Sequence, residues 1–150
     1  MRAILQRVKY ASVTIDGKVH NKIDQGILLL LGIEAEDEED DTDWVIRKIA
    51  NMRIFNDSQN IMNKSLLDIN GEILIISQFT LYASTKKGNR PSYIKAAKPE
   101  IAIPKYEFFL NQWEEETKCK AKAGIFGADM KVELLNDGPV TIFIDSKNKE

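Results

Sequence analysis

The chain has 150 residues, 43 % of them hydrophobic and 29 % charged, with a formal net charge of −2 at pH 7; that length suits one domain, spanning residues 1–150, which buries roughly 70 % of its unfolded surface without staples. A single cysteine, Cys119, and a single histidine, His20, exclude an intramolecular disulfide and a Cys/His zinc site, and leave one histidine for any Ser-His or Cys-His chemistry. No small-residue cleavage site follows the opening MRAILQRV, and the longest apolar run, residues 27–31, is far short of a membrane span, so the expectation is a cytoplasmic protein with no signal peptide, membrane segment, metal or cofactor.

Residues 2–9 lean towards strand. Residues 13–15, Asp16-Gly17 and the segment from Lys18 onwards read as a β-hairpin with a type I′ turn. Residues 26–33 (GILLLLGI) suit a strand buried on both faces. Residues 34–43 (EAEDEEDDTD) hold eight acids and no base, leaving 15 acids against 21 bases elsewhere. This run is expected to be solvated, with Thr42 and its aspartates capping the next helix. That helix covers 42–53, with Val45, Lys48, Ile49 and Met52 at helical spacing and Trp44 beside them. Residues 55–65 are polar and turn-rich. Residues 66–69, Asn70-Gly71 and 72–80 read as a second hairpin.

Residues 83–99 form a loop or lid with Gly88 and two prolines. The stretch 84–105 carries Lys86, Lys87, Arg90, Lys95, Lys98 and Lys105 against Glu100 alone, which suits either a solvated surface or contact with phosphates. Pro104 suits a first helical turn, after which Tyr106, Phe109, Leu110, Trp113 and Thr117 share a face. Residues 121–126, 130–136 and 140–145 read as short strands. Two helices among many strands predict a mixed α/β fold, layered β/β/α, with a largely antiparallel or mixed sheet. A doubly wound nucleotide fold would need more crossover helices.

Three segments carry polar or conformational signals that an ordinary core does not need. Ser77, Gln78, Phe79 and Thr80 end an apolar strand, where their polar groups cap the strand or converge with backbone N–H groups on a ligand carbonyl. Gly138-Pro139, within NDGPVT, makes either a turn between strands or a cis peptide aiming carbonyls at a ligand. In residues 124–130 two glycines permit close backbone approach, and Phe126 is either core or a stacking surface. No phosphate-loop pattern is present.

SQFTLY at 77–82, RPSY at 90–93 and GIFGADMKVELLNDGPVTI at 124–142 resemble the D-aminoacyl-tRNA deacylase family, as does the opening MRAILQRVKYASVTIDG. Order and spacing match nearly end to end. Tyr93 stands where that family often has phenylalanine. The resemblance implies a homodimeric hydrolase that cleaves the ester between a D-amino acid and the 3′-terminal adenosine of tRNA, and glycyl-tRNA mischarged on tRNA(Ala). It implies that Gly138-Pro139 is cis, enters the partner subunit's site, holds the substrate amino group by backbone carbonyls and rejects L-substrates. It further implies that residues 77–80 line the reacting carbonyl, that Arg7 buttresses the Gly-Pro loop, and that Phe126 and Met130 line the adenosine side. Lys86, Lys87 and Arg90 are expected to meet the tRNA.

No strong base accompanies these motifs, so Thr80 as nucleophile lacks an activator. An aminoacyl ester is already labile and its ribose carries a neighbouring 2′-hydroxyl. Positioning, oxyanion stabilisation and access for water then suffice, a route preferred over an acyl-Thr80 enzyme, which stays open as the alternative. Two other classes stay open at this level: a non-catalytic module binding RNA ends or a metabolite, and a Thr- or Ser-dependent esterase of small molecules.

Overall fold

The computed structural model describes residues 1–149. In chain order the elements are β1 (Arg2–Ile15), β2 (Lys18–Ile23), β3 (Gly26–Gly32), α1 (Glu39–Asn51), β4 (Phe55–Asn56), β5 (Met62–Lys64), β6 (Glu72–Ser77), a 3-10 turn (Phe79–Tyr82), α2 (Pro99–Thr117), β7 (Ala121–Ala123) and β8 (Met130–Asp145). The main sheet runs β2-β1-β3-β6-β7, with β8 paired to β1. Strand β1 organises it. Its first half pairs antiparallel with β3 (Arg2↔Gly32 to Val8↔Gly26) and its second half with β2, while β8 follows its other edge from Arg2↔Asp145 to Ile15↔Met130. β3, β6 and β7 are mutually parallel. The mixed α/β, layered expectation is borne out.

Period-two alternation sorts the side chains into two cores. Leu29, Leu31, Ile73 and Ile75 face Val45, Ile46 and Ile49 of α1 and Phe109 and Trp113 of α2. Leu28, Leu74 and Ile76 face the opposite way, onto Val13, Ile23, Val132 and Leu134. The sheet thus curls so that β2 and the far ends of β1 and β8 form a second β layer. Asn21 fastens it by donating to the Ala123 carbonyl at 2.7 Å.

The Asp16-Gly17 hairpin is as expected, with both residues at positive φ (50° and 73°) as a type I′ turn demands. The Asn70-Gly71 hairpin is not. Residues 66–69 are turns, Asp68 accepts from the Ser65 N–H and hydroxyl, and β6 pairs parallel with β3 and β7. Helix α1 starts at Glu39, with Asp41 rather than Thr42 accepting the Glu38 N–H at 2.9 Å. The acidic run is only partly solvated. Asp37 and Asp41 are buried, the first against the Met1 ammonium and the second beside Lys147 at 2.6 Å. Helix α2 starts at Pro99, so Pro104 lies inside it, one turn in. The strands expected over 130–136 and 140–145 are one, β8, which bulges outward: residues 137–140 stand opposite Arg7 alone, between Val8↔Asn136 and Gln6↔Thr141. Residues 55–65, expected to be turns, include the small β4–β5 pair. Among the described residues no helix is long and apolar enough to cross a membrane.

Candidate active site

A cleft of about 320 Å³ opens at the ends of β3 and β6. Leu31, Ile33 and Ile76 form its apolar floor, Ser77, Gln78 and Phe79 one wall, and residues 126–130 with Val132 the other, while Ala97 and Ala102 close it from the α2 side. Two glycines set its shape. A Cβ on Gly32 would lie 3.0 Å from Leu81 Cβ and 3.1 Å from the Gln78 carbonyl, so any larger residue would push the 3-10 turn outward by a few tenths of an ångström. A Cβ on Gly124 would meet Met130 Sδ at 2.4 Å, so Gly124 leaves the Met130 side chain its place beside Ile76.

The turn is pinned from outside. Arg2 donates to the Leu81 carbonyl at 3.0 Å and to Asp145 at 2.9 Å, and its guanidinium stands 4.6 Å from the Tyr82 ring centre. The N–H of Gln78 is spent on the Leu31 carbonyl at 2.8 Å, which removes it from the donors expected at 77–80. Phe79 and Thr80 open the 3-10 turn, whose first intrahelical bond runs from Leu81 N–H to the Gln78 carbonyl. The first N–H groups of a helical turn have no intrahelical acceptor, so those of Phe79 and Thr80 are the donors available to an oxyanion.

The Thr80 hydroxyl accepts from the Gln78 side-chain amide. An amide takes no proton at neutral pH, so this partner orients the hydroxyl without activating it. On the opposite wall Phe126 packs at 5.9 Å, tilted, on Tyr106, whose buried hydroxyl donates to the Ile75 carbonyl at 2.8 Å. Burial pushes the Tyr106 phenol far above its ordinary range, so it stays a neutral donor. Asp129 is the one carboxylate lining the cleft among the described residues; it is exposed and paired with Lys131 at 2.8 Å. No group of three or more His, Cys, Asp or Glu among the described residues could hold a metal ion.

The cleft therefore unites Ser77, Gln78, Phe79, Phe126 and Met130. Thr80 sits next along the turn. Gly138 and Pro139 do not line it; they project, exposed, from the β8 bulge, with a cis bond between them and Gly138 at φ 133°. Buried Arg7 supports that bulge, donating to the carbonyls of Asp137 (2.9 Å) and Ile54. Asn136 braces it from within, accepting the Val140 N–H at 3.0 Å and donating to the Thr141 hydroxyl at 2.9 Å. Lys86, Lys87 and Arg90 are exposed on the loop after the 3-10 turn, outside the cleft, and meet no carboxylate among the described residues. Sequence reasoning missed Arg2, Ala97 and Ala102, and it singled out the segment that begins at Asn136 without giving that side chain its bracing role. Arg2 acts on partners 79 and 143 residues away, so no local pattern marks it.

Residues 4–145 match the family model described as D-Tyr-tRNA(Tyr) deacylase. The chain belongs to that deacylase family. A relative from Flavobacterium psychrophilum named D-aminoacyl-tRNA deacylase is 62 % identical over the whole of both chains, and one of the same name from Porphyromonas gingivalis is 57 % identical over the same span. Among solved structures, the c-Myc DNA Unwinding Element Binding Protein is 42 % identical, with a TM-score of 0.92 over 97 % of this chain and 98 % of its own. A probable eukaryotic D-amino acid tRNA deacylase shares the deacylase fold at 14 % identity, with a TM-score of 0.82 over 95 % and 97 % of the two chains. The resemblance of the four motif segments to this family is borne out.

Proposed function

We propose that this chain hydrolyses the ester joining a D-amino acid to the 3′-terminal adenosine of tRNA, releasing free D-amino acid and tRNA. The observation that carries the reading is the cleft itself. It sets the start of the 3-10 turn, where the Phe79 and Thr80 N–H groups have no intrahelical acceptor, beside an apolar slot ending in Phe126 and Met130. The adenosine occupies the Phe126–Met130 side, and the ester carbonyl lies against the turn. Water adds to that carbonyl carbon, the developing oxyanion takes the two N–H groups, and the bond to the ribose oxygen breaks. The departing oxygen takes the proton, and the neighbouring 2′-hydroxyl assists the exchange. The amide partner of Thr80 favours this route over an acyl-Thr80 intermediate.

In this reading selection against L-substrates falls to Gly138-Pro139 of a second subunit, whose carbonyls hold the amino group and read geometry only as far as Cβ. The bulge is exposed, braced by Arg7 and Asn136, and absent from the lining of its own chain's cleft, which suits use in trans. Strand β8 pairs only with β1 among the described residues and exposes Leu135 and Phe143, so a long edge is available to a second copy. A carbonyl clamp tolerates glycine too, so glycyl-tRNA mischarged on tRNA(Ala) is a substrate, and Lys86, Lys87 and Arg90 hold the acceptor end. The test is deacylation of matched D- and L-tyrosyl-tRNA by the purified protein. Rapid release from the D-ester alone is expected; equal rates, or none, would overturn the assignment.

A further inference from the structure

Phe79 and Tyr93 stand out on the rim of the cleft. Their rings pack edge-on at 5.1 Å, yet Phe79 is 55 % and Tyr93 38 % exposed, and Ile94 beside them is 93 % exposed. Tyr93 sits at the base of the same loop that carries Lys86, Lys87 and Arg90. Ser84 and Ser92 exchange backbone bonds of 2.7 and 2.9 Å, closing residues 85–91 into a short arm. About three residues on each side of that arm reach roughly 10 Å beyond the bridge. The opposite end of the loop is fastened, since the Ala97 N–H donates to the Ile33 carbonyl at 2.9 Å on the cleft floor. One short loop thus presents an aromatic surface at the cleft mouth and, further out, three cations that meet no carboxylate among the described residues. That pairing is the chemistry of single-stranded nucleic-acid recognition, in which bases stack on aromatic faces while cations follow the phosphates.

We infer that the Phe79–Tyr93 pair is a stacking platform for the nucleotide that precedes the terminal adenosine, with the Lys86–Lys87–Arg90 arm holding the phosphates beyond it. This inference rests on the deacylase reading, because it places the terminal adenosine in the cleft. The exposed aromatic face then meets the next base as the strand leaves the mouth. Ile94 is covered only when the strand is bound. Tyr93 supplies a ring face rather than a hydrogen bond, so phenylalanine serves as well.

The test compares Tyr93→Ala and Tyr93→Phe with the unaltered protein on D-tyrosyl-tRNA and on D-tyrosyl-adenosine, which lacks the preceding nucleotide. Stacking on one base corresponds to roughly tenfold in affinity. Tyr93→Ala is therefore expected to raise KM for the tRNA about tenfold more than KM for the adenosine ester, with kcat little altered, and Tyr93→Phe to restore it. Equal losses on both substrates would place the pair against the aminoacyl group and overturn the inference, as would no loss on either. Calorimetric binding of the uncharged trinucleotide CCA and of adenosine monophosphate tests it without turnover. The Tyr93→Ala protein should lose affinity for CCA about tenfold relative to adenosine monophosphate. If the unaltered protein hydrolyses neither ester, the deacylase reading fails, and the CCA arm still decides whether the platform exists.

Discussion

Arg7 offers the sharpest test of how the bulge on β8 is held. Its side chain is buried and donates to two backbone carbonyls, of Asp137 at 2.9 Å and of Ile54, with the Asp137 carboxylate 3.6 Å from Nε. A hydrogen bond to a charged partner contributes about 1.5–3 kcal/mol, and a buried carbonyl left bare costs about 1–3 kcal/mol. The Ile54 carbonyl is sealed in the core side of the molecule, while the Asp137 carbonyl regains water once the bulge loosens, and Lys9 at 3.4 Å still offsets the Asp137 charge. Arg7→Ala is therefore expected to destabilise the fold by about 3 kcal/mol, lowering Tm by roughly 6–12 °C for a chain of this size. Arg7→Lys keeps the charge but cannot fork between two carbonyls, so it should recover less than half of the loss. Urea and thermal unfolding at one fixed protein concentration read this directly. Discrimination between D- and L-tyrosyl-tRNA should fall with it, because Gly138-Pro139 loses its support. A loss below about 1 kcal/mol, or a lysine variant equal to the parent, would refute the buttress.

Thr80→Ala should slow turnover about tenfold at most, whereas removing a true nucleophile costs on the order of 10⁶; tRNA ending in 2′-deoxyadenosine should lose more than Thr80→Ala does, and an acyl-Thr80 species trapped by rapid quench and mass spectrometry would reverse the choice. Replacing Lys86, Lys87 and Arg90 together with alanine should weaken tRNA binding and flatten the log–log salt slope by about 2, at ~0.7 per single-strand phosphate contact; an unchanged slope would mean these residues are merely solvated. Burial pushes the Asp41 carboxyl up, but hydrogen bonds from Lys147, the Glu38 N–H and Ser146 outweigh it and bring it down to about 2. Its folded-state value is below the unfolded one, so its stabilisation is present above about pH 4 and lost as pH falls towards 2. Asp41→Asn, which can still cap Glu38, should shrink the pH dependence of the urea midpoint across that window, and an undiminished dependence would sink the pairing with Lys147.

Local patterns revealed those parts of the fold whose partners are close in sequence or whose burial is symmetrical. Residues 26–33 are apolar throughout because both cores press on β3, and Asp16-Gly17 joins strands that pair directly. The same dipeptide logic failed at Asn70-Gly71. The partners of β6 are β3 and β7, so its pairing is settled by segments more than forty residues away in both directions. The acidic run looked uniformly solvated because nothing in its composition announces that the Met1 ammonium and Lys147 would bury two of its members. At the site, Ser77, Gln78, Phe79, Phe126 and Met130 were legible through motif and resemblance together. Ala97 and Ala102 were not, since small apolar residues at a helix start carry no chemical signal. The Gly138-Pro139 bulge was legible as an interruption of the β pattern, but not as an excursion within one continuous strand. That depends on Arg7 filling the gap opposite.

The cleft wall is assembled from residues 77–79, 97–102 and 126–132, resting on the end of β3. A nascent chain still tethered to the ribosome has the floor long before it has the second wall, and Val132 must emerge before any slot exists. β8 must then zip along β1 to bring Asp145 to Arg2, which steadies the turn carrying Phe79. Catalytic competence thus waits until Asp145 has reached Arg2, and chains that stop short of that strand should be inert rather than partly active or indiscriminate.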